Sequence, residues 1–184
     1  MTAVLAASYP VAIGQAEITI SAPVDTVYRY LADFPRHSEW VANVSKIERI
    51  TPGPTGVGTT YRCQEGPPPV SLDTKLRMMF FFVSGLIGGS KSYSEATITD
   101  LEPNRRIAWS AGIPKGDGFF NRSEWEIVLE PVGGGTRLVQ HFRYMPQTAT
   151  AGRMVGAAGS DGLVASCGVS LVRLKTILER QPGG

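Results

Sequence analysis

The candidates for moving a proton or holding an anion are His141, Tyr144, Glu95 and Arg62. A general acid and a general base must both come within hydrogen-bond reach of one substrate, and these four have no diagnostic spacing. No nucleophile elbow, phosphate loop or carboxylate dyad accompanies them. Metal chemistry has little to draw on, because Cys63, Cys167, His37 and His141 lie far apart and at no ligand spacing. No metal and no cofactor is expected.

The elements that position these residues follow from hydrophobic period. "AEITI" (Ala16 to Ile20) alternates as a short strand. The period then changes: Val24, Val27, Tyr28, Leu31 and Phe34 fall on one helical face, with Ser21 as the expected cap and Pro23 in the first turn. Pro35 ends that helix, and "PRHSEW" forms a second short one closing on Trp40. From Val44 the chain reads as strands: "VSKIERI", "TTYRC", "SYSEATITDL", "RIAWSA", "SEWEIVLE" and "TRLVQHFRYM". The last four are joined by connections too short for crossover helices, which makes them an antiparallel meander. Val164, Cys167, Leu171, Leu174 and Leu178 then mark an amphipathic C-terminal helix with its onset near Ser160.

Strand parity sorts the candidates. Trp125, Ile127 and Leu129 share one face and Glu124, Glu126 and Glu130 the other, so the apolar set faces inward. Ile107 and Trp109 share a parity in the preceding strand, and the two tryptophans either fill a core or line a cavity. Leu138, Gln140, Phe142 and Tyr144 are the more apolar set of the last strand, which puts His141 toward solvent. A reversed register would bring His141 and Arg143 inside and supply a general base with an anion partner.

"KLRMMFFFVSGLIGGSK" (Lys75 to Lys91) is the one segment outside this scheme. Its 13 uncharged residues after Arg77 would cover about 20 Å as a helix, short of the roughly 30 Å of a bilayer core. Such a block needs a cover. A gate of Phe80, Phe81, Phe82 and Leu86 over a cavity, also able to touch a membrane surface, competes with burial in a homodimer.

At 184 residues with 42% hydrophobic content the chain makes one globular domain. A net charge of +2 without a basic, aromatic-interleaved cluster argues against a nucleic-acid partner. The opening "MTAVLAASYPVAIG" lacks a basic n-region, so residues 1–15 are expected to be a leader rather than a signal peptide. A cytoplasmic location follows by default, peripheral to membrane if the apolar block touches one.

"ITISAPVDTVYRYLADFPRHSEWVANVSKIE", "GVGTTYR", "ITDLEPNRRIAW" and "WEIVLEPVGGGTRL" resemble, in order and spacing, the START-like superfamily (SRPBCC) of polyketide cyclase/dehydrase-like and birch-pollen-allergen-like proteins. The resemblance implies one α+β domain over residues 16–181, interrupted by the apolar insert at about 66–92. Its fold would be a helix grip: a curved antiparallel sheet of about seven strands around a long C-terminal helix, with two short helices after the first strand. Trp40, after Asp33 as in the family's usual pattern, would anchor the helix pair. A cavity between sheet and helix is also implied, lined by Tyr61, Trp109, Trp125, Gln140, Phe142, Tyr144, Cys167 and Leu171. The expected function is binding or transport of a small hydrophobic ligand (lipid, fatty acid, polyketide or sterol-like); a cofactor-independent polyketide cyclase/dehydratase-type enzyme is the alternative.

Overall fold

Alternation begins earlier than "AEITI". In the computed structural model, which describes residues 11–66, 92–112, 122–146 and 148–180, strand β1 runs from Ala12 to Ile20. Helix α1 (Val24–Ala32), a 3-10 turn (Phe34–Arg36) and α2 (His37–Trp40) follow. Then come β2 (Val44–Arg49), β3 (Thr60–Glu65), β4 (Ser92–Glu102), β5 (Arg106–Gly112), β6 (Arg122–Val132), β7 (Gly135–Met145) and α3 (Ala149–Arg180). The strands form one antiparallel sheet in the order β1-β7-β6-β5-β4-β3-β2. A meander therefore runs from β2 to β7, and β1 pairs with its last strand. Bulges at Ile98/Asp100 in β4 and Val44/Lys46 in β2 bend the sheet. This is the helix-grip fold. The apolar insert, including Phe80, Phe81, Phe82 and Leu86, lies outside the described residues.

Local chemistry accounts for most boundaries and corrects three expectations. Ser21 does not cap α1: the helix has no side-chain cap, and Pro23 occupies the N-cap position with φ −59° and ψ 147°. A capping oxygen reaches the N–H two or three residues on, and from Ser21 that means Pro23, which has none, or Val24. The Ser21 N–H instead donates to Glu179 Oε1 at 2.7 Å. Pro35 does not simply stop the helix but sits inside the 3-10 turn leading to α2. The third correction is that α3 starts at Ala149 rather than near Ser160. Its glycine-rich first half has poor intrinsic propensity, which packing overrides, because α3 lies along β1.

The C-terminal half of α3 is fixed by both apolar and polar ties. Leu171, Leu174 and Leu178 enter a core with Ile20, Val27, Leu31, Ile98, Ile107, Ile127, Leu129 and Leu138, each side chain contributing about 1.5–3 kcal/mol by burial. Lys175 Nζ donates to the Thr19 carbonyl at 2.6 Å, and the Ala42 N–H donates to Ser170 Oγ at 3.1 Å. Tyr30, outside the expected helical stripe, is also buried, its hydroxyl donating to Glu39 Oε2 at 2.9 Å.

Where β7 begins, Gly135 passes so close to β1 that an added Cβ would enter the radius of the Ile20 carbonyl oxygen. Both atoms belong to backbone, so neither can rotate away. Gly135→Ala should lower stability by about 1–3 kcal/mol in urea unfolding, whereas Gly133→Ala, with nothing within 4 Å, should stay within about 0.5 kcal/mol.

Candidate functional site

Pairing register stacks the inward-facing residues of the sheet into rows. One row crosses the concave face as Ala12, Tyr144, Ser123, Ala111, Ala96 and Tyr61. The next is Gly14, Phe142, Trp125, Trp109 and Ile98, and beneath it lie Ala16, Gln140, Ile127 and Ile107. The first row carries small side chains on three adjacent strands, β4, β5 and β6. The second is a wall of rings. Trp109 and Trp125 lie parallel within 6° at 6.0 Å between centroids, Phe142 follows Trp125 at 5.8 Å, and Tyr144 meets Trp125 edge-on at 5.5 Å. Such offset and edge-to-face contacts add about 0.5–1.5 kcal/mol per pair beyond burial. Trp125 is oriented by its indole N–H, which donates to Ser123 Oγ at 2.9 Å.

Polar groups collect at the same end. Glu65 continues the inward parity of Tyr61 and Cys63 in β3, and the Ser94 hydroxyl donates to its Oε1. Burial raises the Glu65 pKa above the ordinary carboxyl value, with the Ser94 bond acting in the opposite direction. Tyr144 is raised as well, first by burial and then by the negative charges of Glu65 and Cys167. Burial pushes the Cys63 thiol up to about 12 and Cys167 up to about 11, which keeps both as inert thiols at neutral pH. Gln140 is only 4% exposed, and its Oε1 has no hydrogen-bond partner among the described residues. A buried amide oxygen without a donor costs about 1–3 kcal/mol.

The residues expected to face the ligand divide. Trp109, Trp125, Gln140, Phe142 and Tyr144 share the concave face, and Cys167 is buried on α3 near Tyr144. Tyr61 and Leu171 belong to the packed core, as does Trp109, whose ring meets Phe34 edge-on at 5.6 Å and His37 at 5.4 Å. The Tyr61 ring stacks on Phe34 at 4.8 Å, and its hydroxyl is 3.2 Å from Thr55 Oγ1. Of the four acid-base candidates only Tyr144 points inward. Arg62 and Glu95 pair with each other at 3.4 Å on the convex side, and His141 shares the parity of Arg143, which is exposed and paired with Glu124 at 3.7 Å. Glu65 and Ser94 were not singled out from sequence. The available signal was parity: "TYRCQE" places Glu65 on the face of Tyr61 and Cys63.

His37 is the other residue whose role needed the structure. It is 2% exposed, its Nε2 lies 2.9 Å from the Leu31 carbonyl oxygen, and its ring stacks on Phe34 at 4.3 Å. Burial lowers its pKa to about 4 despite the carbonyl, so the neutral ring, with Nε2–H donating, is the folded form. Trp40 is fully buried beside it, at 5.1 Å in an edge-on contact, and anchors α2. Among the described residues no group of three or more His, Cys, Asp or Glu side chains is placed to hold a metal ion, and no helix is long and apolar enough to cross a membrane.

Residues 12–179 match the family model described as "Polyketide cyclase / dehydrase and lipid transport". The chain belongs to that family. Among solved structures, Zhui aromatase/cyclase from Streptomyces sp. R1128 is similar at a TM-score of 0.65 and 15% identity, with 94% of this chain and 96% of that one covered. Protein CV1439 from Chromobacterium violaceum is similar at 0.63 and 18%, covering 92% and 99%. Ara h 8.0201 follows at 0.58 and 12%, covering 92% and 98%. At these identities the likeness is one of fold. No curated protein matches the chain. Polyketide cyclase/dehydrase and lipid-transport chemistry bounds the functional class without naming a ligand.

The His37 environment has a measurable consequence for this family member. The unfolded chain takes up the imidazole proton at about pH 6.5 and the folded one only near pH 4, so the contribution is complete above pH 6.5 and is lost as pH falls. Between pH 7 and pH 4 this removes about 3 kcal/mol. Urea unfolding of the protein and of His37→Phe should show a steeper acid loss in the former by about that amount; equal slopes would refute a buried neutral histidine.

Proposed function

We propose that the protein binds a small apolar ligand built of fused rings, polyketide-like rather than a plain fatty acyl chain, between the concave face and α3. The observation that carries this reading is the uninterrupted row Phe142, Trp125, Trp109 running beside the small-residue row Ser123, Ala111, Ala96. Flat rings stack on aromatic walls with favourable geometry, and small side chains leave volume in front of that wall. Gln140, buried with its Oε1 unpartnered among the described residues, supplies an acceptor for a donor on the ligand.

A carrier or sequestering role fits these residues better than catalysis through the acid-base set visible in sequence. Arg62, Glu95 and His141 stand on the convex side, beyond reach of anything bound inside. Membership of a family described by polyketide cyclase/dehydrase and lipid transport supports a ligand of polyketide or lipid type.

The fluorescent probe 1-aminoanthracene should bind at about micromolar affinity, the usual range for a preformed apolar site with few polar contacts. Fused-ring competitors should displace it more effectively than fatty acids. Trp125→Ala should weaken binding about three- to tenfold, the factor expected from losing one ring contact. A folded protein that leaves the probe in water, or binds it equally well without Trp125, would overturn the reading.

A further inference from the structure

Glu65 is chemically out of place at the end of β3. A carboxylate on the inward face of a sheet loses hydration and needs a cation or several donors in return. Among the described residues it has one donor, the Ser94 hydroxyl on Oε1, and no Lys or Arg enters its electrostatics. The titratable groups that face it are Cys63 on its own strand and Tyr144 from β7, with Cys167 of α3 beyond Tyr144. None of them can carry positive charge. Among the described residues the cations of β2 and β3 are engaged elsewhere, Arg62 with Glu95, Lys46 with Glu48 and Arg49 with the Thr51 carbonyl. A carboxyl so placed keeps its proton more tightly than usual, as the direction of its shift indicates. With Ser94 fixing Oε1, the second oxygen is left to serve as a donor.

We propose that Glu65 and Ser94 form a hydrogen-bonding subsite for the carbonyl oxygen of an otherwise apolar, fused-ring ligand. This rests on the ligand-binding reading above and adds the functional group the ligand must carry. The Glu65 O–H donates to the carbonyl, Ser94 holds the carboxyl in place, and the aromatic row receives the rings. Tyr144 stands on the opposite strand of the same end as a second hydroxyl donor. Ionised Glu65 would instead set a negative oxygen against the carbonyl's own, so affinity for a ketone falls as pH rises through the Glu65 pKa. Affinity for the bare hydrocarbon does not.

The test uses two ligands of one skeleton, 9-fluorenone with a carbonyl and fluorene without, each displacing 1-aminoanthracene from the full-length protein. At the acid end of the range in which the protein stays folded, the wild type should prefer fluorenone about tenfold, the factor one hydrogen bond supplies. Glu65→Leu should abolish the preference while leaving fluorene binding intact, and Glu65→Gln, which keeps an amide donor, should retain part of it. In the wild type the preference should fall toward unity as pH rises through the Glu65 titration, and in Glu65→Gln it should not change with pH. A preference equal in Glu65→Leu and wild type, or one that ignores pH in the wild type, would overturn the subsite. Equal binding of both ligands by the wild type would remove the subsite and leave the cavity standing, whereas binding of neither would remove both. Should Glu65→Leu fail to fold, the wild-type pH series decides alone.

Discussion

The absence of a side chain at Gly14 sets where α3 can lie. A Cβ there would stand 2.6 Å from Phe142 Cζ and 2.8 Å from Val164 Cγ2, so only a bare backbone lets strand, ring and helix meet at one point. That meeting places the middle of α3 on β1, at one edge of the sheet, while Leu171, Leu174 and Leu178 continue into the core. The sheet must then curve to cover the other side of the helix, assisted by the bulges in β4 and β2. The helix meets the aromatic row at Phe142, and Trp125 and Trp109 continue that row across β6 and β5.

Two ends with different chemistry result. Toward α1 and α2 the interior is closed by branched aliphatic residues, Phe34, Trp40 and the neutral His37. Toward Tyr144 the inward residues are Ala12, Ser94, Ala96, Ala111, Ser123 and Glu65, small or polar. Burying polar groups in a sealed apolar core costs more than most single contacts return. Their concentration at one end, beside stacked tryptophans, is what a molecule selecting a ligand would carry. The ion pairs of the convex side, such as Arg137 with Glu17 at 2.7 Å and Glu130 at 2.8 Å, are exposed and screened by solvent. They decorate the outside without shaping the site.

Periodicity made much of this legible. The two-residue period of "SEWEIVLE" and the apolar half of "TRLVQHFRYM" gave the inward faces of β6 and β7, and thereby Trp125, Gln140, Phe142 and Tyr144. Turn chemistry separated the strands, with Asn104 at φ 59° and Gly134 at φ 85° taking the left-handed positions in the two tightest connections. What sequence could not show was which face meets which neighbour across long separations. Tyr61 looked free to meet a ligand because nothing in the chain announces that Phe34 stacks on it. His37 drew no structural role from sequence because its partner is a backbone carbonyl. The first half of α3 was missed because its small residues argue against a helix locally, while β1, more than a hundred residues earlier, stabilises it. Glu65 was within reach of parity alone, but a carboxylate on an apolar face is ordinarily assigned to solvent.

The three tryptophans offer the most direct test, since each indole N–H gives its own signal in a nitrogen-proton NMR spectrum, with Trp109 and Trp125 stacked on the sheet and Trp40 on α2. On titration with 1-aminoanthracene the account predicts large shifts at Trp109 and Trp125 and at the Gln140 side-chain amide, with Trp40, sealed among α2 and the core, unmoved. Shifts confined to residues of the convex face, or a Trp40 signal that moves while those of Trp109 and Trp125 stay fixed, would contradict it.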